Sequence, residues 1–189
     1  MNNFLRLGEN VDVMPLLLTL KQKPYLWDQN RLRTTHENTP HAQVSDIWLR
    51  FNDIKKFQNG GEDPSILDQH ESICYPPWYD LPEAQTLVHN LNSFVKGFRI
   101  GRVMITKLQP GGRITPHVDS GDHAAYYERF HIVVQSGPGC LFKGDDETVH
   151  MKTGEVWWFQ NKSMHEVINN SKVERIHLIV DIHTGRGSL

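Results

Sequence analysis

Near Gly97 the rhythm of apolar and polar positions changes. Before it, one stretch is strongly periodic. Leu87, Val88, Leu91, Phe94 and Val95 stand at i, i+1, i+4, i+7 and i+8, a single apolar stripe on an α-helix. Asp80 and Glu83 at capping-box spacing, Pro82 in the first turn and Gly97 past the last apolar position mark its ends. Residues 1–80 are otherwise irregular and rich in Asn, Gln, Asp and Pro. Ser45–Phe51 reads as a strand and Asn59–Pro64 as a loop. After Gly97, short β-branched and aromatic segments alternate with Gly, Pro, Asn and Asp turns. Strands are expected at 99–108, 113–119, 129–135, 139–143, 147–152, 155–160, 165–169 and 173–182. Such punctuation predicts a mainly β fold, an antiparallel jelly roll with the N-terminal helix packed on one sheet. The length of 189 residues suits a single domain. Residues 1–98 form a supporting segment and 99–182 the jelly-roll core.

The strand period also sorts the polar residues. Side chains two apart on a strand share a face. Arg129 and His131 therefore lie opposite Phe130, Ile132 and Val134, and Arg175 and His177 opposite Ile176, Leu178 and Val180. An arginine turned into a small barrel is costly unless an anion meets it. In Pro116-His-Val-Asp119, His117 and Asp119 share a face with Val118 on the other. With the distant His165 they supply two imidazoles and one carboxylate, a mononuclear non-haem iron set that leaves metal positions open. Zinc takes the same donor types. Arg175 adds a permanent cation near those open positions, unless it pairs with Glu174 or Asp181. Arg129 has Glu128 beside it as a local partner.

Composition narrows the class. Apolar content of 38%, charged content of 22% and a net charge of −2 describe an ordinary globular protein with no electrostatic footprint for nucleic acid or membrane. The apolar run Met14–Leu20 is far shorter than the about 20 residues that span a bilayer and follows acidic residues, unlike a signal peptide. A cytoplasmic location is expected. Cys74 and Cys140 form no C-x-x-C pair and read as small apolar fillers. Eleven histidines exceed what one metal site uses. His36, His41, His70, His89, His123, His150 and His183 therefore read as surface or loop residues, with His123 on a possible substrate path. His131 and His177 read equally well as interior histidines, and Trp157, Trp158 and Phe159 as sheet packing.

In order along the chain, Gln109-Pro-Gly-Gly-Arg-Ile-Thr-Pro-His117, Arg129-Phe-His131, Gly154-Glu-Val-Trp-Trp-Phe159, His165-Glu-Val and Arg175-Ile-His-Leu-Ile-Val-Asp181 resemble the aspartyl/asparaginyl β-hydroxylase family of Fe(II)- and 2-oxoglutarate-dependent oxygenases. The resemblance spans Gly101–Asp181. It implies a double-stranded β-helix, the cupin-like form of the jelly roll. It implies Fe(II) on His117 and His165, with Asp119 completing the three-ligand set, and 2-oxoglutarate and O2 as co-substrates. By the same resemblance Arg175 grips the far carboxylate of 2-oxoglutarate with help from Thr106, and Arg129 and His131 line the co-substrate and substrate region. The implied reaction hydroxylates a carbon of an amino acid or amino-acid residue, Asp- or Asn-like, coupled to decarboxylation of 2-oxoglutarate to succinate. A free-amino-acid or small-metabolite hydroxylase and a non-catalytic metal-binding module are the alternatives. The surplus of inward donors at Arg129 and His131 predicts a small-molecule or peptide substrate bearing a carboxylate or carboxamide.

Overall fold

The computed structural model describes residues 3–55 and 68–185; the loop expected at Asn59–Pro64 lies outside them. The described strands are β1 (Phe4–Gly8), β2 (Val44–Phe51), β3 (Ile73–Cys74), β4 (Arg99–Leu108), β5 (Arg113–His117), β6 (Glu128–Gln135), β7 (Cys140–Gly144), β8 (Glu147–Val149), β9 (Val156–Phe159), β10 (His165–Asn169) and β11 (Arg175–His183). They form a seven-stranded sheet ordered β1-β9-β6-β11-β4-β2-β3 and a four-stranded sheet ordered β5-β10-β7-β8. Every pairing is antiparallel. This is the expected jelly roll.

The major sheet has two different surfaces. On its outer face Val103, Ile105, Phe130, Ile132, Val134, Ile176, Leu178 and Val180 join one buried cluster with residues of two helices, α1 (Met14–Gln22) and a longer helix after it. Burial of this apolar area is the main stabilising term, at roughly 25 cal/mol per Å². Between the sheets, Phe4, Val44, Leu108, Ile114, Val133, Phe142, Phe159 and Val167 form a smaller cluster. Polar side chains take up the rest of that interior.

Further α-helices follow α1: α2 (Leu32–Thr35), α3 (Pro76–Asp80) and α4 (Pro82–Phe94). Helix α4 is the predicted one, with Ala84, Leu87, Val88 and Leu91 buried, whereas Phe94 is exposed. The expected capping box does not form. Asp80 is the last residue of α3, so its backbone is already helical and not in the extended conformation an N-cap uses; Leu81 takes that position without a side-chain cap. Glu83 instead accepts a 2.8 Å bond from the Thr19 hydroxyl, tying α4 to α1. At the other end Lys96 takes the left-handed conformation (φ 56°). Gly97 is required by close approach, since a Cβ there would lie 2.4 Å from the Ile182 side chain. The N-terminal half gives more than the one signalled helix: it adds α1 and three strands to the major sheet. No helix among the described residues is long and apolar enough to cross a membrane.

Candidate metal centre

Strands β5 and β10 are neighbours in the minor sheet, and their register sets His165 directly opposite His117. The two rings lie 4.2 Å apart between centroids. Strand β5 ends at His117, two residues short of expectation, yet Asp119 still reaches the same place. Its backbone N–H donates to the Asn161 carbonyl at 3.1 Å, and its Oδ1 lies 3.6 Å from His117 Nε2. One donor atom from each of His117, Asp119 and His165 falls within 4.8 Å of the others.

Each histidine is oriented by the backbone two residues before it. His117 Nδ1 is 2.8 Å from the Thr115 carbonyl and His165 Nδ1 is 2.9 Å from the Ser163 carbonyl. A carbonyl only accepts, so Nδ1 carries the proton and Nε2 keeps its lone pair for a metal. Burial pushes the pKa of His165 down to about 4, which keeps it in the neutral, ligating form. Two imidazoles and one carboxylate fit Fe(II) with positions to spare.

Arg175 projects from the inner face of β11 beside this cluster. It is 2% exposed, and among the described residues no carboxylate lies within ion-pair reach. Glu174 pairs with Lys107 and Gln109 instead, and Asp181 pairs elsewhere. Among the described residues the guanidinium meets His177 Nδ1 at 3.1 Å, the Phe142 ring 5.7 Å away and the Cys140 thiol. Burial lowers its pKa to about 10, still cationic near neutrality. Thr106 Oγ1 and His131 Nε2 are buried without a hydrogen-bond partner and line the same cavity as Arg175, His117 and His165. An unbalanced buried cation beside orphaned polar atoms is expensive. The set fits an acid with a remote carboxylate, as 2-oxoglutarate has.

Arg129 departs from expectation. It faces inward, but it is not waiting for an external anion and does not pair with Glu128. Nε and Nη2 donate to the two oxygens of Asp181 at 2.8 and 3.0 Å, and Nη1 donates to Asp119 Oδ2. Burial alone would lower its pKa, but the two carboxylates outweigh that and raise it. The surplus of donors that pointed to an acidic substrate is therefore largely consumed within the chain. His131 and His177 are interior histidines, their Nδ1 atoms 3.0 Å apart. Burial and then Arg175 hold both well below the usual imidazole range.

Two of the histidines read as surface or loop residues border the site. His123, in the short helix α5 (Asp122–Tyr126), is 2% exposed, with Nε2 3.0 Å from Asp181 Oδ2. His41 packs edge-on against His117, ring centroids 4.9 Å apart, and lines the cavity with Arg33. The segment carrying it is strapped along β5: the Thr115 N–H donates to the Pro40 carbonyl at 3.2 Å, and the Arg113 N–H to Gln43 Oε1 at 2.8 Å. Arg33 is fixed by a bidentate pair with Asp46 at 2.9 and 2.7 Å. No local pattern announces these residues; the strap brings them in.

A double-stranded β-helix with a two-histidine, one-carboxylate cluster at its open end defines a class of metal-dependent jelly rolls. Comparison narrows it. Residues 26–184 match the aspartyl/asparaginyl β-hydroxylase family, and the chain belongs to that family. The Fe(II), 2-oxoglutarate and O2 expected from the sequence are those of this family. The chain is 30% identical over 132 residues to L-proline cis-4-hydroxylase of Rhizobium meliloti (strain 1021), an alignment covering 68% of this chain and 45% of the relative. It thus spans under half the length of that relative. Two solved structures share the fold. A prolyl hydroxylase from Trichoplax adhaerens, in complex with a hypoxia inducible factor peptide fragment, superposes with a TM-score of 0.61 at 10% identity, over 99% of this chain and 86% of its own. An oxidoreductase of the 2OG-Fe(II) oxygenase family from Burkholderia pseudomallei gives 0.58 at 13% identity, over 98% and 86%.

Proposed function

We propose that the protein is a 2-oxoglutarate-dependent dioxygenase that hydroxylates a carbon of an amino acid or amino-acid residue. The observation that carries this is Arg175: a buried guanidinium with no carboxylate partner among the described residues, beside a Thr106 hydroxyl without a hydrogen-bond partner there and next to a two-histidine, one-carboxylate cluster. A structural metal site needs no such cation. Iron supplies, when bound with 2-oxoglutarate and O2, the oxidising power to hydroxylate an unreactive C–H bond. His117, Asp119 and His165 would hold it. Arg175 and Thr106 would bind the far carboxylate of the co-substrate through hydrogen bonds, charge-assisted from the guanidinium. Phe142 and Phe159 wall the same cavity and exclude water from it.

The family's name favours an aspartyl or asparaginyl substrate, and the relatedness to an L-proline hydroxylase favours a free amino acid. His41, on the strap, and Arg33, fixed by Asp46, line the cavity with the metal-ligand histidines and are the groups proposed to meet either one. Anaerobic addition of Fe(II) and 2-oxoglutarate should give the weak visible charge-transfer band of the chelate. Substrate-stimulated succinate release should then separate L-proline, free aspartate and asparagine, and peptides containing them. A chain that binds Fe(II) but shows neither the band nor succinate release with any of these would sink the reading in favour of a metal-binding module.

A further inference from the structure

The two oxygens of Asp119 have different neighbours. Oδ1 faces the metal position, 3.6 Å from His117 Nε2. Oδ2 is taken by Arg129 Nη1. Arg129 is itself fixed, because its Nε and Nη2 grip both oxygens of Asp181 at 2.8 and 3.0 Å. Asp181, 1% exposed, receives a further contact at 3.0 Å from His123 Nε2. His123 is anchored in turn: Nδ1 lies 3.1 Å from the Gln69 carbonyl, and its backbone N–H donates to Asp68 Oδ1 at 2.9 Å. The row His123–Asp181–Arg129–Asp119 thus runs from the start of α5, across the ends of β11 and β6, to the metal position.

Such a row is a poor way to gain stability. Desolvating buried charges offsets most of their attraction, and apolar residues of similar volume serve as well or better. It does solve a coordination problem. A carboxylate free to use both oxygens would take two positions of an octahedral metal. With two histidines, only two positions would remain, too few for a chelating keto acid and O2 together. One oxygen committed to Arg129 leaves three.

We propose that Asp181 and His123 are positioning residues that lock Arg129 against Asp119, hold Asp119 to one metal-facing oxygen, and so keep three metal positions open. This rests on the ligand assignment of the proposed function. The guanidinium acts as a fixed clamp; Asp181 sets its plane and His123 sets that of Asp181.

The test uses the full chain with Co(II) alone, whose visible absorption reports coordination number, followed by 2-oxoglutarate titration of the Co(II)-loaded protein. In Asp181→Asn the Co(II) spectrum should change, and 2-oxoglutarate affinity should fall by about tenfold or more, with Co(II) affinity kept or raised. Repeating the substitution in an Asp119→Ala background should produce no further change, because the carboxylate to be held is gone; this cycle isolates the coupling. A purely structural role predicts that Asp181→Asn costs the same in both backgrounds, and that result would overturn the proposal. If Asp181→Asn does not fold, His123→Gln removes one contact from Asp181 and should give the same spectral change in smaller degree. A wild-type spectrum and wild-type 2-oxoglutarate affinity in the folded variants would also overturn it. The ligand assignment fails separately: a wild-type chain with no stoichiometric Co(II) binding, or an Asp119→Ala spectrum identical to wild type, removes the site itself.

Discussion

Strands β4, β6 and β11 each present two faces that are almost equally buried and chemically opposite. On the outer face Val103, Ile105, Phe130, Ile132, Leu178 and Val180 are at most 1% exposed and pack on helices. On the inner face Thr106, His131, Arg175, His177 and Asp181 are at most 3% exposed and include an unbalanced cation and an ion row. Burial alone does not separate them. The outer face gains free energy from the area it removes from water, while the inner face gives some of it back. Substitutions on the two faces should therefore fail in different ways: outer ones should lose stability and keep ligands, inner ones the reverse.

The largest effect is expected on the ligand face. His117→Ala and His165→Ala should each abolish stoichiometric iron binding and turnover while leaving the metal-free unfolding midpoint near wild type. Metal content after dialysis, read with a urea melt, checks both halves; wild-type iron content in both variants would break the contrast. On the outer face, Leu178→Ala should cost about 2–5 kcal/mol of stability, with the 2-oxoglutarate dissociation constant of the folded fraction unchanged. Arg175→Ala should weaken 2-oxoglutarate about a hundredfold, the order of a buried charge-assisted pair left without one partner. Calorimetry on the metal-loaded protein should show metal affinity unmoved; an unchanged constant for the co-substrate would mean that another cation holds it.

A smaller effect should appear with pH. The pKa values of His131, His177 and His165 are lowered in the fold, so the unfolded chain binds more protons on acidification. Their contribution to stability is full above an ordinary imidazole value of about 6.5 and is lost as pH falls below it, for His165 down to about 4. Metal-free protein should accordingly melt in less urea at pH 5 than at pH 7. His131→Gln with His177→Gln should flatten that slope. A pH-independent midpoint in the wild type would show that the inner face carries no such cost.

The chain's rhythm made much of this readable. β4 and β10 fall at the expected bounds because turn-forming residues bracket them, Gly97 and Pro110 around β4 and Asn161 and Asn170 around β10. Helix α1 was hidden because Met14–Leu20 is apolar on nearly every side, which erases the helical period. His117 and Asp119 could be singled out by their two-residue spacing, Arg175 by its place opposite the apolar Ile176 and Leu178, and His165 by the order of segments that resembles the family. The pairing of Arg129 could not, since Asp119 reaches it from the loop after β5 and Asp181 from β11, and its neighbour Glu128 was the only local partner in view. His41 and His123 have no periodic context; a strap and a short helix deliver them.

That strap has a consequence for how molecules meet one another. Strand β5, which carries His117, lies at the edge of its sheet, and an open edge invites a strand from another chain. Here the Pro40 carbonyl and the Gln43 side chain already occupy two of its N–H groups, and Pro116 has none to offer. The segment that narrows the mouth of the cavity thus also seals the rim against edge-to-edge aggregation, and a chain deprived of residues 39–43 would become adhesive along that edge.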